Sequence, residues 1–457
     1  MTKILKIINP FNHEIIGQLP FETDTTIHQK LKQTRLSFKD WSNIGLKERI
    51  VYLEKGLEYF ELNKDQIAKE ISEQMGKPLS ESYNEIKAFF SRVRELLLMA
   101  PDALKPDLID DKKGFVRRIE HQPLGVVLDI AAWNYPLLTA VNVVVPALLA
   151  GNAVVIKHSG KTPLCGVHFE KAFSHGFDNL VCNLVLTHDQ TTNLINNPLI
   201  DHVVFTGSVK GGLKINQATS KRLIDVGLEL GGKDPAYIMA DADLDFTVPN
   251  IIEGACYNAG QSCCAIERVY VHHSIYDAFL SRALEIVKDF KLGNPFDQST
   301  TIGPLASHSA PDFLASQVAD AVEKGAEIIF GNNKKSGNFF EPTLLKDVPN
   351  HSEIMQEESF GPVIPSLSVK NDLEALEKMN DSKYGLTASI WTNDQQKAEW
   401  MAQRLEAGTI FQNRCDYLDP YLPWTGYKNS GKGSSLSRYG FWHLTKRKSI
   451  HFRTDIK

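Results

Sequence analysis

Cysteine is scarce in this chain, and its spacing excludes two common uses of the residue. The 457 residues contain only six cysteines, namely Cys165, Cys182, Cys256, Cys263, Cys264 and Cys415. None of them forms a C-x-x-C pair, so neither a zinc nor an iron–sulfur cage is expected, and we predict no metal site. Their spacing is not that of a secreted disulfide framework, which favours a reducing cytoplasm.

The chain also lacks a strong charge excess and a targeting segment. Its net charge of −5 at pH 7 provides no electrostatic basis for binding nucleic acid. The first twenty residues have no sustained apolar core, so no signal peptide is predicted. Residues 130–156 carry no charge and could span a bilayer by length. Pro136, Pro146 and Gly151 interrupt them, so we expect buried strand, helix and strand there and no membrane segment.

Short apolar strands alternate with helices from residue 124 onward. The predicted strands cover 124–130, 153–157, 180–186, 201–205, 235–239 and 268–273. The predicted helices cover 135–151, 162–176, 244–259 and 275–290, and three charged amphipathic helices precede them at 27–41, 46–63 and 79–99. Alternation with short connections predicts an α/β protein with two doubly wound lobes, divided at Gly231–Gly232. The cleft between two such lobes is the usual place for a ligand.

Two adjacent cysteines in the segment "NAGQSCCAIER", Cys263 and Cys264, are candidate nucleophiles. A free thiol has a pKa near 8.5 and needs activation to attack at neutral pH. Since buried cysteines are common and usually inert, a structural role is the simpler interpretation of the pair taken alone.

Polar residues at the predicted strand ends could complete a reaction centre. Glu229 ends an apolar strand before two glycines and could take a proton from water, or it could form a salt bridge. Asn134 could donate to an oxyanion, or it could be a turn residue. Lys157 could hold a ribose hydroxyl or a phosphate, or it could lie on the surface. Ser208 opens a helix whose N–H groups suit a phosphate, and Glu358 could equally be a surface acid.

The order of these segments resembles that of one known family. The segments "WNYP", "GNAVVIK", "FTGS", "LELGGK", "GQSCC", "EESFGPV" and "PWTGYKNSG" follow one another over about 300 residues, and nearly the whole chain resembles the aldehyde dehydrogenase superfamily. The resemblance implies that Cys263 is the nucleophile, Glu229 the general base and Asn134 an oxyanion donor. It implies cofactor contacts for Trp133, Lys157, Ser159, Gly160, Gly207, Ser208, Glu358 and Phe360. We expect the substrate funnel to be lined by Tyr135, Cys264, Ile266, Tyr417, Leu418 and Trp424. The nearby Arg414, Asp416 and Asp419 could bind a charged tail if they point inward.

Two positions depart from the family's pattern: Ala132 precedes "WN", where members often have proline, and Gly160 is the more informative. Members often carry an acid three residues after the lysine, where it binds the adenine ribose, and this chain has Gly160 there. An acid at that ribose favours NAD and repels the 2′-phosphate of NADP. Lys157 and Lys161 add positive charge close by. We therefore predict that NADP is accepted alongside NAD.

The implied reaction is oxidation of an aldehyde to a carboxylic acid by NAD(P)+ through a Cys263 thiohemiacetal and thioester. A CoA-acylating semialdehyde dehydrogenase is the first alternative, but such relatives tend to lack the hydrolytic glutamate that Glu229 supplies. A non-enzymatic scaffold or binding protein on the same fold is the second. Such a protein has no reason to keep Cys263, Glu229, Asn134 and Lys157 together.

The resemblance also implies a domain organisation. Residues 1–104 and 123–230 form a Rossmann-like NAD(P)-binding domain, and residues 231–445 form the catalytic domain. Residues 105–122 and 446–457 form a small β arm for oligomerisation. Because exposed strands invite pairing with another subunit, we expect a homodimer or homotetramer.

Overall fold

A computed structural model of the protein describes residues 3–110, 112–332 and 337–456. Its first half contains β1 (Ile4–Ile8), β2 (Ile15–Pro20), α1 (Asp24–Trp41), α2 (Leu46–Leu62), α3 (Lys64–Met75), α4 (Leu79–Ala103), β3 (Asp107–Leu108), β4 (Phe115–Pro123), β5 (Val126–Ile130), α5 (Pro136–Leu149), β6 (Ala153–Lys157), α6 (Pro163–Ala172), β7 (Val181–Asn183), α7 (His188–Ile195), β8 (His202–Thr206), α8 (Val209–Thr219) and β9 (Val226–Glu229).

The second half contains β10 (Asp234–Ile238), α9 (Leu244–Cys256), β11 (Ile266–His272), α10 (Tyr276–Lys288), α11 (Ala310–Glu323), β12 (Glu327–Phe330), β13 (Thr343–Lys346), α12 (Glu353–Gln356), β14 (Val363–Val369), α13 (Asp372–Asn380), β15 (Tyr384–Gly385), β16 (Thr387–Trp391), α14 (Gln395–Ala402), β17 (Thr409–Gln412), β18 (Tyr427–Lys428), β19 (Gly431–Lys432), α15 (Ser437–His443) and β20 (Thr445–Arg453). Two short 3₁₀ turns lie at Tyr257–Gly260 and His273–Ile275.

The two predicted doubly wound lobes are present. The first sheet has the order β19-β9-β8-β5-β6-β7, and the second has the order β12-β13-β14-β11-β10-β16-β17. All neighbours are parallel except β19 beside β9 and β12 beside β13. Central strands such as β5 and β10 are buried along their whole length, as expected for parallel strands covered on both faces. The uncharged stretch forms β5, α5 and β6 as predicted.

Two element boundaries, one helix and one hairpin differ from the sequence-based expectation. The helix expected to reach residue 259 ends at Cys256, because Asn258 and Ala259 adopt a positive φ of 54°. The strand expected over 180–186 covers only Val181–Asn183, since the chain then turns to cap α7 at Thr187. Helix α3 and the hairpin of β1 and β2 were not anticipated.

The carboxyl-terminal part of the predicted catalytic domain packs on the first lobe. Strand β19 pairs with β9, with Gly431 opposite Glu229. Phe441 and Leu444, in and just after α15, join the hydrophobic core of the first lobe. The expected boundary at residue 445 therefore places this segment in the wrong lobe, because its apolar side chains have no distinguishing local pattern.

The predicted arm forms a separate three-stranded sheet in the order β20-β4-β3. Strand β20 pairs antiparallel with β4 from Thr445 opposite Pro123 to Arg453 opposite Phe115. Within the described ranges, no helix is both long and apolar enough to cross a membrane.

Candidate active site

The segment between α9 and β11, residues 257–265, carries the two neighbouring cysteines. We call it the nucleophile loop, after the role expected for Cys263. Gly260 has a φ of +71°, and its backbone lies so close to Gly361 that a Cβ there would stand 2.3 Å from the Gly361 carbonyl carbon. This close approach brings the loop against the segment that carries Glu358 and Phe360. Cys263 is half-buried, whereas Cys264 is only 2% exposed. Cys263 is therefore the more accessible thiol of the pair.

Cys264 is held by a buried acid behind the loop. Its thiol donates a hydrogen bond to Asp416 Oδ1 at 2.9 Å, and the Ser262 hydroxyl donates to the same oxygen at 3.0 Å. Interaction with the neighbouring Cys263 thiol, burial and the Asp416 carboxylate all raise the pKa of Cys264 well above its usual value. Cys264 thus remains a neutral thiol. We expected it to line the substrate funnel, but it is buried behind the cleft surface.

Asn134 lies where β5 ends and α5 is about to begin. Its side-chain Nδ2 donates to the Gln261 carbonyl at 3.2 Å, two residues before Cys263, while Asn258 donates to the Asn134 carbonyl at 3.0 Å. The amide has two N–H groups, so one of them remains for a ligand. The structure therefore brings together Asn134 and the nucleophile loop, which are distant in sequence.

Glu229 lies at the carboxyl end of β9. Its Oε2 is enclosed and has no hydrogen-bond partner among the described residues. Burial raises the pKa of Glu229 to about 7, and the Ser435 hydroxyl opposes part of that shift. Three residues later, a Cβ on Gly232 would stand 2.7 Å from the Cys263 carbonyl oxygen. The glutamate segment and the cysteine loop therefore meet at the same edge of the cleft.

Glu358 and Phe360 lie in the segment between α12 and β14, residues 357–362, which we call the strap. A buried ion pair holds this segment in place. Lys233 Nζ lies 2.6 Å from Glu267 Oε2, and both side chains are almost fully buried. Glu267 also accepts hydrogen bonds from the backbone N–H groups of Ser359 and Phe360, each at 2.8 Å. The sequence reasoning missed Glu267, although an acid inside the apolar strand β11 is a visible signal.

The strap presents its two side chains to the cleft. Phe360 has a φ of +54°, and its ring centroid lies 5.5 Å from that of Trp133. Glu358 accepts a hydrogen bond from the Gly232 N–H at 3.2 Å. Burial and the neighbouring Glu267 raise the pKa of Glu358, and the Gly232 N–H opposes that shift. Strap, nucleophile loop and Glu229 segment thus form one continuous wall.

A cavity of about 300 Å³ opens where β6 and β7 end. Lys157, Gly160, Thr187 and His188 are among its lining residues. The Lys157 ammonium forms neither a hydrogen bond nor a salt bridge within the described part of the chain, and burial lowers the pKa of Lys157. Such an unpartnered lysine at a strand end fits a ribose or phosphate, so the residues present suit a dinucleotide.

The next strand over supplies a helix N-terminus. Ser208 caps α8 by accepting a hydrogen bond from the Gly211 N–H at 3.2 Å. The Gly207 N–H instead donates to the Glu229 carbonyl at 3.0 Å, so this turn connects the α8 terminus to the Glu229 strand. Among the described residues, no group of three or more metal-ligating side chains occurs.

The other predicted funnel residues differ in their positions. Tyr135 is half-buried, with the Lys77 ammonium 4.2 Å from its ring centroid. Trp424 packs with Cys264 in a small cluster against which Cys263 and Leu418 also pack. Ile266 was expected in the funnel but lies in the core of the second lobe. Successive side chains of a strand point to opposite faces of the sheet, and Ile266 is on the face of β11 that packs into the core. The sequence did not reveal which face this would be.

Two further buried residues near the start of α5 were missed. Glu85 lies 2.6 Å from the Lys77 ammonium, with both side chains nearly inaccessible. Glu85 Oε1 also accepts the Leu137 N–H at 2.8 Å. This pair from α4 and the turn before it fixes the first turn of α5, which directly follows Asn134.

The fold and the site are those of a two-lobed, nicotinamide-dependent oxidoreductase. The sequence profile of the aldehyde dehydrogenase family matches residues 2–450, and the chain belongs to this family. It is an NAD(P)-dependent enzyme that oxidises aldehydes.

Known relatives are similar over almost their whole length. A succinate-semialdehyde dehydrogenase [NADP(+)] of Deinococcus radiodurans is 32% identical over 447 residues, which cover 97% of this chain and 94% of the relative. An aldehyde dehydrogenase of Paenarthrobacter nicotinovorans is 32% identical over 450 residues, covering 97% and 98%. The crystal structure of betaine aldehyde dehydrogenase from Staphylococcus aureus in complex with NAD+ is 30% identical with a TM-score of 0.93, covering 99% of this chain and 92% of that one.

Proposed function

We propose that Cys263 is the nucleophile, Asn134 the oxyanion donor and Glu229 the general base of the aldehyde oxidation. The observation that supports this most strongly is the convergence of the Asn134 amide, the Glu229 segment and the more accessible cysteine at one cleft edge. The Cys263 thiolate forms a C–S bond to the aldehyde carbon, and the carbonyl π electrons move to oxygen. Asn134 donates to that oxyanion, an interaction worth about 3 kcal/mol in comparable sites.

A bound nicotinamide supplies the hydride acceptor for the oxidation. Lys157, Ser159 and Gly160 would hold the adenine ribose, and Gly207 and Ser208 would contact the phosphates at the α8 terminus. Glu358 would hold the second ribose, and Trp133 and Phe360 would pack beside the nicotinamide ring. Two observations support these assignments: the buried Lys157 ammonium has no partner among the described residues, and Glu267 holds the strap through the Ser359 and Phe360 N–H groups.

Glu229 completes the cycle by accepting a proton from water as the water attacks the Cys263 thioester. The C–S bond then breaks, and the carboxylic acid and the Cys263 thiolate are released. Since only the unprotonated carboxylate accepts a proton and burial raises the pKa of Glu229 to about 7, hydrolysis increases as the pH rises through about 7.

Stopped-flow measurement of reduced cofactor tests this assignment. We expect Glu229→Gln to give one burst of NAD(P)H per site followed by very slow turnover, because thioester formation does not need the base. The wild-type slow phase should rise with pH through about 7, and that dependence should disappear in the variant. Wild-type turnover by Glu229→Gln would remove Glu229 from the mechanism.

We further propose that NADP is used alongside NAD. Gly160 leaves the ribose without an acid, and Lys157 and Lys161 are the nearby cations. A side chain can be accommodated at Gly160, since among the described residues a Cβ there would contact the Leu5 side chain alone, at 3.5 and 3.9 Å, which is ordinary van der Waals contact. The position is therefore free of steric reasons for being glycine.

The arm supports a homo-oligomer, either a dimer or a tetramer. Strand β20 is an edge strand, and its Phe452 is 56% exposed opposite Val116, which is 40% exposed. Exposed apolar residues on an unpaired edge are a suitable surface for a second copy.

All six cysteines are unpaired thiols, which supports a cytoplasmic location, and we infer neither a nucleic-acid nor a membrane partner.

A further inference from the structure

A buried arginine of α4 forms no salt bridge with any described residue. Arg92 is only 8% exposed. Its Nη1 donates to Asn142 Oδ1 and its Nη2 to the Leu418 carbonyl, both at 2.8 Å. Both partners are neutral, and no carboxylate in the described part of the chain forms a salt bridge with the guanidinium. Since this group has five N–H donors, several of them remain for another acceptor.

Arg92 connects two walls of the aldehyde cleft. Asn142 shares a face of α5 with Tyr135 and Leu138, and these three residues are half-buried while Val141 and Val143 are buried. Leu418 packs on the cluster of Cys264 and Trp424, against which Cys263 also packs. Asn142 lies about 9 Å along α5 from Pro136, at 1.5 Å per residue. The guanidinium therefore lies between the face of α5 that carries Asn142 and the segment whose Leu418 packs on the same cluster as Cys263.

The nearby acids are engaged elsewhere. Asp419 Oδ1 accepts the Tyr421 N–H, and Glu95 accepts the Tyr421 hydroxyl. Asp416 accepts hydrogen bonds from Ser262 and Cys264. Burial lowers the pKa of Arg92 to about 10, with Tyr417 and Asp419 acting in the opposite direction. An anion beside the guanidinium would offset the cost of burying this cation.

We propose that Arg92 binds a carboxylate at the far end of the substrate, so that ω-carboxy aldehydes are the preferred substrate class. This inference rests on the proposed function, since the reacting end of the substrate must lie at Cys263. Arg92 acts as a specificity residue and takes no part in the bond changes.

Steady-state kinetics with matched substrates test the proposal. The probes are 4-oxobutanoate and 6-oxohexanoate, compared with butanal and hexanal at saturating cofactor. We expect wild-type kcat/KM to favour at least one carboxylate over its neutral match by about tenfold or more, as for a charged hydrogen bond. Arg92→Gln should abolish that preference, because KM should rise about tenfold more for the carboxylates than for the alkanals, and Arg92→Lys should keep part of it.

Arg94→Gln is the matched control, because Arg94 lies on the same helix but is exposed. It should leave all four substrates unaffected. Equal losses for alkanals and carboxylates in Arg92→Gln would show a structural role and overturn the proposal. A wild-type enzyme that favours both alkanals would overturn it even if Arg92→Gln failed to fold. If the wild-type enzyme oxidised none of the four aldehydes, the result would instead contradict the proposed function.

Discussion

Neighbouring cysteines acquire different chemistry here because their surroundings differ. Cys264 donates to Asp416 inside a small apolar cluster, so its proton is retained. Cys263 is half-buried at the cleft edge. The Asn134 side chain donates to the carbonyl of Gln261, which precedes Cys263 by two residues. A thiolate is the reactive form of cysteine, and only an accessible one can attack. Accessibility and hydrogen bonding therefore support our proposal that Cys263 is the nucleophile.

Substitution of each cysteine by serine tests this selection. Cys263→Ser should lower kcat by about three orders of magnitude or more, as for loss of other nucleophiles, because a hydroxyl is far less acidic than a thiol. Cys264→Ser should retain most activity, since a hydroxyl can still donate to Asp416. The reverse pattern in an aldehyde oxidation assay would assign the nucleophile to Cys264.

The cofactor prediction concerns a single absent side chain. Gly160→Glu should raise KM for NADP+ by about tenfold, the equivalent of about 1.4 kcal/mol, while KM for NAD+ changes little. The new carboxylate would repel the 2′-phosphate but could bond a 2′-hydroxyl. Gly160→Gln separates charge from bulk and should affect both cofactors alike. Tight NAD+ use with no detectable NADP+ use by the wild type would contradict the prediction.

At the scale of elements, the loop that follows β17 fixes the nucleophile loop from behind. Asp416 is the link, with a φ of +45° and two hydrogen bonds to the nucleophile loop. A residue in this conformation is strained unless it is Gly, Asn or Asp. Asp416 therefore has two roles: it tolerates the positive φ of its own loop, and its carboxylate keeps the Cys264 thiol protonated.

Asp416→Asn should make Cys264 reactive without disturbing the loop conformation. Loss of the negative charge lowers the pKa of Cys264, and each unit of that decrease raises the thiolate fraction about tenfold. We expect faster alkylation of Cys264 by iodoacetamide, measured by mass spectrometry of the Cys263–Cys264 peptide. Asp419→Asn is the control, since the Asp419 carboxylate accepts the Tyr421 N–H and contacts neither cysteine among the described hydrogen bonds. Unchanged Cys264 reactivity would show that burial alone protects it.

At the scale of the whole molecule, the arm keeps its apolar side chains out of both lobes. Leu108 of β3 is 80% exposed, and Phe452 and Val116 form an exposed cross-strand pair. A single chain cannot cover this surface, which explains why a second copy is expected.

Light scattering after size exclusion measures the assembly directly. Wild-type protein should elute as a dimer or tetramer, and Phe452→Lys should shift it toward a smaller species, because a charge at the interface must be desolvated. Phe313→Lys, which changes an exposed phenylalanine of α11, should not. A monomeric wild type, or an assembly unaffected by Phe452→Lys, would rule out this interface.

The amino-acid sequence alone predicts the two lobes, which are present, and it supplies the proposed site residues and the proposed arm. Apolar strands such as β5 and β6 form from local pattern, and Glu229, Lys157 and Asn134 follow strand ends that the pattern locates. Parallel strands bring those ends to one edge, so the cleft could be expected without coordinates. The order of short motifs then identified the family.

Only the tertiary structure decided which partners those residues have. The role of Asp416 depends on a contact with Cys264 across more than 150 residues, and β19 joins β9 across about 200. Arg92 acquires its place between Asn142 and Leu418 in the same way. Local pattern cannot report such contacts, because burial, and with it the charge state of a thiol, a carboxyl or a guanidinium, arises only when distant segments exclude water together.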